Sequence, residues 1–313
     1  MIKDVVPVVR RLVPGLLKHP RPSVAWVRTT HPKYLVFDGD TTHPACVVEF
    51  GDAERLCRID RVLSELYRRC PGIVPRPLIC ARWDDQTAVQ IQEGLPGVPW
   101  FRVADGLTTP AAWESLLDRA MGASRLLHAA IASVPAWVGT VNVHEALAEQ
   151  VRLCRAGEDT LDPGLLRHVE ECGERIAGIG PVQTRSQHGD FSLNNLLVTP
   201  AGAAVIDFEE FGLTKMPLHD AFGLALSFPL SQVGRCPRAI AECFNRCITA
   251  TVAAEPYGEA TRRGLLLHHL LWRINQCQDH PTRAPLRARM VSIAERVAGA
   301  PGDGLLAVTS VFA

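Results

Sequence analysis

From Ser23 onward, short apolar runs alternate with turn-forming stretches. Val24-Ala25-Trp26-Val27-Arg28, Tyr34-Leu35-Val36-Phe37 and Ala45-Cys46-Val47-Val48-Glu49-Phe50 are rich in β-branched and aromatic residues. The polar stretches 29–33 and 38–44 separate them, a pattern that predicts an antiparallel meander. The period then lengthens: Leu56, Ile59, Leu63 and Leu66 recur at helical spacing and predict a helix over Ala53 to Arg69. Two further strands are expected over 77–83 and 87–92, around the turn at Asp84-Asp85. Residues 1–22, with Val5-Val6-Pro7-Val8-Val9 and Leu12-Val13, predict a short helix or an extended arm packed against these strands.

Past residue 100 the helical period takes over. The segment from Pro110 to Val134 begins with Thr109 as N-cap and Pro110 at the first helical position, where a missing N–H costs no bond. More helices are expected over 142–156, 162–178, 237–254, 259–277 and 282–298. The run Leu265-Leu266-Leu267-His268-His269-Leu270-Leu271-Trp272 falls short of the roughly 20 apolar residues that cross a bilayer and predicts a buried helix. Its two histidines are adjacent, whereas a metal-binding pair on a helix would be one turn apart. Strands with one helix first and helices afterwards give an α+β fold, and 313 residues suit two lobes better than one core. The expected division is an arm and a small antiparallel sheet lobe with one helix over 1–93, and a larger, mainly helical lobe over 94–313.

The residues with chemistry gather in Ser186-Gln187-His188-Gly189-Asp190-Phe191-Ser192-Leu193-Asn194-Asn195, followed by two apolar runs, 196–198 and 203–206, and then Asp207-Phe208-Glu209. The apolar runs read as strands joined by a turn at Thr199-Pro200-Ala201-Gly202, a hairpin that brings Asn195 and Asp207 side by side. Phosphoryl transfer to a hydroxyl needs a carboxylate that orients the hydroxyl and accepts its proton, and Asp190 is placed for that. It also needs a divalent cation on the phosphate oxygens. Magnesium takes one or two carboxylates with carbonyls, phosphates and water, and Asn195 and Asp207 supply such oxygens.

At these residues the sequence resembles the aminoglycoside phosphotransferase and choline kinase group, whose catalytic stretch runs His-Gly-Asp-x-x-x-x-Asn. The resemblance extends over about residues 24 to 280, more strongly in the second half. It implies a two-lobed, protein-kinase-like fold, Asp190 as catalytic base, Asn195 and Asp207 as ligands of Mg²⁺, and ATP or GTP as phosphate donor. His188 is expected to fix the loop. Met216-Pro217-Leu218-His219-Asp220-Ala221 is similar to the family's segment after the metal loop, which makes Asp220 a structural brace. Ser124-Arg125-Leu126-Leu127-His128 is similar to part of the family's long helix, and packing is expected of His128. Gln92-Glu93-Gly94, leading into Leu95-Pro96-Gly97, matches the family's hinge, whose backbone would bond the nucleotide base. The turn Thr29-Thr30-His31-Pro32-Lys33 stands where a phosphate cover belongs; it has no glycine, and Pro32 has no N–H to donate.

The third strand departs from the family. Such enzymes place a lysine there, paired with an acidic residue of the next helix; this chain has Glu49 on the strand and Asp60 at the helix position. There is no lysine between Lys33 and Lys215 to replace it; Arg28, Arg55, Arg58, Arg61 or Lys33 could substitute, but none occupies the strand position. Either a basic neighbour such as Arg58, Arg61 or Lys33 pairs with Glu49 and presents charge to the phosphates, or Glu49 points away from them and the nucleotide binds weakly, and the degraded phosphate loop favours the second. The expected activity is transfer of the terminal phosphate of a nucleoside triphosphate to a small hydroxylated molecule, a sugar, nucleoside or antibiotic-like acceptor. The rival from another class is a pseudokinase, a nucleotide-binding or scaffolding protein that lost turnover with the lysine.

Composition narrows the partners. Lys plus Arg and Asp plus Glu are both 33, so nothing in the net charge points to nucleic acid or an anionic membrane. Ten cysteines occur with no Cys-x-x-Cys pair and no secretory leader pattern, which predicts a cytoplasmic protein with reduced thiols. Between Arg235 and Asp279, on the expected acceptor side, arginines outnumber acidic residues, which disfavours a polycationic acceptor and prefers a neutral or anionic one.

Overall fold

The computed structural model of the chain describes residues 2–27, 31–157, 161–230, 236–255, 257–278, 281–300 and 308. Thr29 and Thr30 of the expected phosphate cover, and Arg28 and Arg235, lie outside the described residues. The backbone divides into two compact units, each assembled from separate stretches of chain: Met1–Val103 with Arg119–Ser133 and Asn194–Phe211, and Ala104–Asp118 with Val134–Leu193 and Gly212–Ala313.

The first unit opens with helix α1 (Ile2–Leu12) and strands β1 (Ser23–Val27), β2 (Lys33–Phe37) and β3 (Cys46–Asp52). Helix α2 (Ala53–Arg69) and strands β4 (Pro77–Arg82) and β5 (Thr87–Glu93) follow. The sheet runs β1-β2-β3-β5-β4 and every pair is antiparallel. Alternation sorts its faces. Tyr34, Val36, Cys46, Val48, Val89 and Ile91 form a core with Val5, Val8 and Val9 of α1, so the N-terminal segment is a helix rather than an arm. Lys33, Glu49 and Gln90, at alternate positions and register partners of one another, make a polar row across three strands. Helix α2 buries one stripe, including Leu56, Ile59, Leu63 and Leu66, and Asp52 caps it by accepting the Arg55 N–H at 2.7 Å. Strand β6 (Val98–Pro99) and the one-turn α3 (Trp100–Val103) come next. Helix α4 (Pro110–Ala132) leads from one unit to the other.

The second unit is mainly helical. A short pair, β7 (Val138–Val141) and β8 (Val182–Arg185), flanks α5 (Val143–Ala156) and α6 (Pro163–Ile176). The chain then enters the first unit as β9 (Leu196–Thr199) and β10 (Gly202–Val205), the expected hairpin, with β6 as a third strand. It returns as α7 (His219–Leu230), α8 (Pro237–Ala254), α9 (Glu259–Gln276) and α10 (Ala284–Gly299). Helix α9 carries Leu265 to Leu271 and packs on α5, α6, α7 and α10, which is why it is apolar almost all round. Helices α3 and α7 and the strands β6, β7 and β8 are additions to the elements read from the pattern. Among the described residues no helix is long and apolar enough to cross a membrane.

Candidate active site

The loop carrying Asp190 is fixed by buried polar groups of its own unit. The carboxylate of Asp220, at the start of α7 and fully buried, accepts the His188 N–H at 2.7 Å and the Gly189 N–H at 3.0 Å. Gly189 has φ 91°, a left-handed conformation that a side chain would strain. Asp190 donates its own N–H to His188 Nδ1 at 3.3 Å, and the buried His188 ring meets Phe191 edge-on at 5.9 Å. Next to this brace His219 Nε2 donates to the Gly189 carbonyl at 3.1 Å, and burial pulls its pKa down to about 4, so the ring is neutral. Helix α7 approaches so closely that a Cβ on Gly223 would lie 2.8 Å from the Phe191 carbonyl oxygen. Asp220→Ala strips the acceptor from two buried N–H groups, at about 1–3 kcal/mol each. The expected result in urea unfolding is a loss of about 2–5 kcal/mol; a change below about 1 would mean that other groups satisfy the loop.

Asp190 is half exposed, and its Oδ1 lies 2.9 Å from a guanidinium nitrogen of Arg273 on α9. Arg273 itself is mostly buried and also donates to Gln276 Oε1 at 3.1 Å. This pairing was not visible in the sequence. The one available signal was a cation directly after the buried run 265–272.

In the first unit the hairpin register sets Leu196 against Val205, and the Ile206 N–H donates to the Asn195 carbonyl at 3.0 Å. Asn195 and Asp207 therefore stand at the open end of one two-stranded ladder. Asp207 adopts φ 68°, a region that Asp tolerates better than most residues but that still carries strain. Its Oδ1 accepts from Lys33 Nζ at 2.9 Å. Glu209, two residues on, takes Lys33 Nζ at 3.4 Å and Arg55 Nη1 at 3.3 Å, and its backbone carbonyl accepts from Arg58. Burial alone would lower the Lys33 pKa, but Asp207, Glu209 and Glu49 together outweigh it and hold the ammonium above its ordinary value.

Glu49 sits among basic side chains. It is 2% exposed and bonded to an Arg55 guanidinium nitrogen from the first turn of α2. The strand–helix ion pair thus exists with its charges exchanged, acid on the strand and base on the helix, and its partner is Arg55 rather than Arg58 or Arg61. Burial pushes the Glu49 carboxyl up while Lys33 and Arg55 pull it down. Asp60 takes no part in this pair: it lies beside Gln90, and burial raises its pKa. Arg58 instead ties the backbone carbonyls of Glu209 and Phe211, and Arg61 the backbone of its own helix.

The expected hinge is largely committed within the sheet. The Glu93 N–H donates to the Arg76 carbonyl at 2.8 Å and the Gly94 N–H to the Ala45 carbonyl at 3.1 Å. The N–H groups of Glu93 and Gly94 are therefore taken and are not offered to a base. A side chain at Gly94 is excluded because its Cβ would fall 1.8 Å from the Pro44 carbonyl oxygen.

Solved structures that superpose on the chain include kinases of small molecules. A choline/ethanolamine kinase family protein from Mesorhizobium loti superposes with a TM-score of 0.62 at 17% identity, over 99% of this chain and 100% of that one. A thermostable mutant of aminoglycoside phosphotransferase APH(4)-Ia, in ternary complex with ADP and hygromycin B, gives 0.62 at 14% identity, over 94% and 98%. A choline kinase from Cryptosporidium parvum Iowa II gives 0.59 at 15%, over 99% of both chains. No protein of curated function matches the chain in sequence. Identities this low establish the protein-kinase-like fold alone. Residues 23–242, well over half the chain, match the phosphotransferase enzyme family APH, and the chain belongs to that family.

Proposed function

We infer that the chain transfers the terminal phosphate of ATP or GTP to the hydroxyl of a small molecule. The observation that carries this reading is the Asp190 carboxylate, half exposed on a loop that Asp220 holds from behind. In the proposed step the acceptor oxygen bonds to the terminal phosphorus, the bond from that phosphorus to the bridging oxygen breaks, and the nucleoside diphosphate leaves. The hydroxyl proton passes to Asp190. Asn195 and Asp207 fit Mg²⁺ as a hard, all-oxygen donor pair on one rigid ladder. When bound there the ion would neutralise charge on the phosphate oxygens. Thr29, Thr30 and Lys33 on the phosphate side, and Gln92, Glu93 and Gly94 on the base side, complete the proposed nucleotide set. A fold neighbour complexed with ADP and hygromycin B supports a nucleotide and a small molecule as the two substrates. Ten free cysteines support a reducing, cytoplasmic setting.

Arg273 beside the base bears on the acceptor. Asp190 and Arg273 form a pair without net charge, so the carboxylate gives a cationic acceptor little net attraction. The acceptor is therefore a neutral or anionic hydroxylated compound, such as a sugar or nucleoside derivative, rather than a polycation. Nucleoside diphosphate release with Mg·ATP and Mg·GTP, across a panel of sugars, nucleosides and aminoglycosides, tests this. Faster turnover with neutral or anionic acceptors is expected; an aminoglycoside as best substrate would refute the charge argument. Nucleotide binding with no turnover on any acceptor would favour the pseudokinase, the reading that Glu49 on the third strand suggests.

A further inference from the structure

We propose that the phosphate-holding lysine has moved one strand sideways: Lys33 of β2 does the work usually given to β3, and the exchanged pair Glu49–Arg55 makes this possible. The proposal rests on the phosphotransferase reading above and specifies how its nucleotide site is built. The chain has four lysines, Lys3, Lys18, Lys33 and Lys215, so a lysine clamp has few sources. Of these only Lys33 occupies the sheet, where it is the register partner of Glu49. Register partners project from the same face of a sheet with their Cβ atoms about 4.5–5.5 Å apart, a displacement that a four-carbon lysine stem can span.

The contacts agree with that placement. Lys33 Nζ reaches Asp207 Oδ1 at 2.9 Å and Glu209 Oε1 at 3.4 Å, although its side chain is only 17% exposed. An ammonium has three donors, so Lys33 can hold Asp207 and still offer N–H groups to phosphate oxygens. Arg55 is bound to Glu49 through one terminal nitrogen, and the other is buried 3.3 Å from a Glu209 oxygen without a hydrogen bond, whereas Lys33 Nζ holds Asp207 directly. Glu49 serves as the anchor that fixes this second cation beneath Glu209. A carboxylate that would repel a triphosphate from the third strand is thereby neutralised from two sides, by Arg55 directly and by Lys33 across the strands.

Calorimetry on the full chain separates this role from a structural one by comparing a nucleoside triphosphate in magnesium with the nucleoside alone. For whichever of ATP and GTP the parent binds, Lys33→Met is expected to weaken the triphosphate about 10- to 100-fold, the worth of a charge-assisted bond. Binding of the matching nucleoside, adenosine or guanosine, is expected to stay within about twofold, and Lys33→Arg to retain most of the triphosphate affinity. Lys33→Gln gives the same reading should the methionine variant not fold, with nucleoside binding as the check on folding. Equal losses for triphosphate and nucleoside would make Lys33 a structural residue and overturn the proposal. Unchanged triphosphate binding in Lys33→Met or Lys33→Gln would overturn it and leave the phosphotransferase reading standing. A parent that binds no triphosphate would overturn both.

Discussion

Asp190→Asn is expected to lower turnover by about 10²- to 10⁴-fold while leaving the affinity for magnesium nucleotide nearly unchanged. The magnitude is that of a lost general base. The separation of the two effects follows from how the loop is held. Asp220 accepts the N–H groups of His188 and Gly189, and His188 Nδ1 accepts that of Asp190, so none of these bonds uses the Asp190 carboxylate. An asparagine of the same shape can therefore occupy the loop without moving it. Two properties change: the amide cannot take the hydroxyl proton, and Arg273 loses the carboxylate that faces it at 2.9 Å. Both act on the acceptor's side of the reaction, so single-turnover kinetics should show a slow chemical step with nucleotide binding intact. A variant that phosphorylates its acceptor at the parental rate would remove Asp190 from the proposed mechanism.

Helix α2 was legible in the sequence because Leu56, Ile59, Leu63 and Leu66 form one stripe and Asp52 and Arg69 bound it. The β9–β10 hairpin was legible because two apolar runs flank a Pro-Gly turn, and its register then fixes Asn195 against Ile206. Helix α7 was not, since Phe222, Leu224, Ala225, Leu226 and Phe228 are all buried and leave no polar face to mark a period. The pair β7–β8 was too short, four residues each, for alternation to register. Site chemistry divides along the same line. His188, Asp190, Asn195 and Asp207 are candidates from their order along the chain, and Arg55 was one of several cations that could replace the lysine, whereas Arg273 and Glu209 meet their partners only through tertiary contacts. Lys33 shows the difference most directly. In the sequence it ends a loop and is one of several basic residues that could meet Glu49; in the fold it begins β2, and the strand register makes it the partner of Glu49.

Asp207→Ala is expected to abolish the difference in nucleotide-induced stabilisation between magnesium and EDTA. A ligand that binds only the native state stabilises it by about 2.7 kcal/mol at 100 times its dissociation constant, so tighter binding with the ion appears as a higher melting temperature. If Asp207 is one of two protein oxygens holding the ion, its removal leaves Asn195 alone and the magnesium-dependent part of the shift should vanish. The absolute melting temperature of this variant is a poor readout. Asp207 sits at φ 68°, where alanine is less comfortable than aspartate, and its loss also takes the closer of two carboxylates from Lys33. Asp207→Asn separates these effects, because asparagine tolerates the same conformation while the anionic ligand is gone. Both variants should lose the magnesium dependence, and the asparagine variant should melt closer to the parent without nucleotide. A magnesium-dependent shift of parental size in both would take Asp207 out of the metal site and leave its contact with Lys33 as a purely structural ion pair.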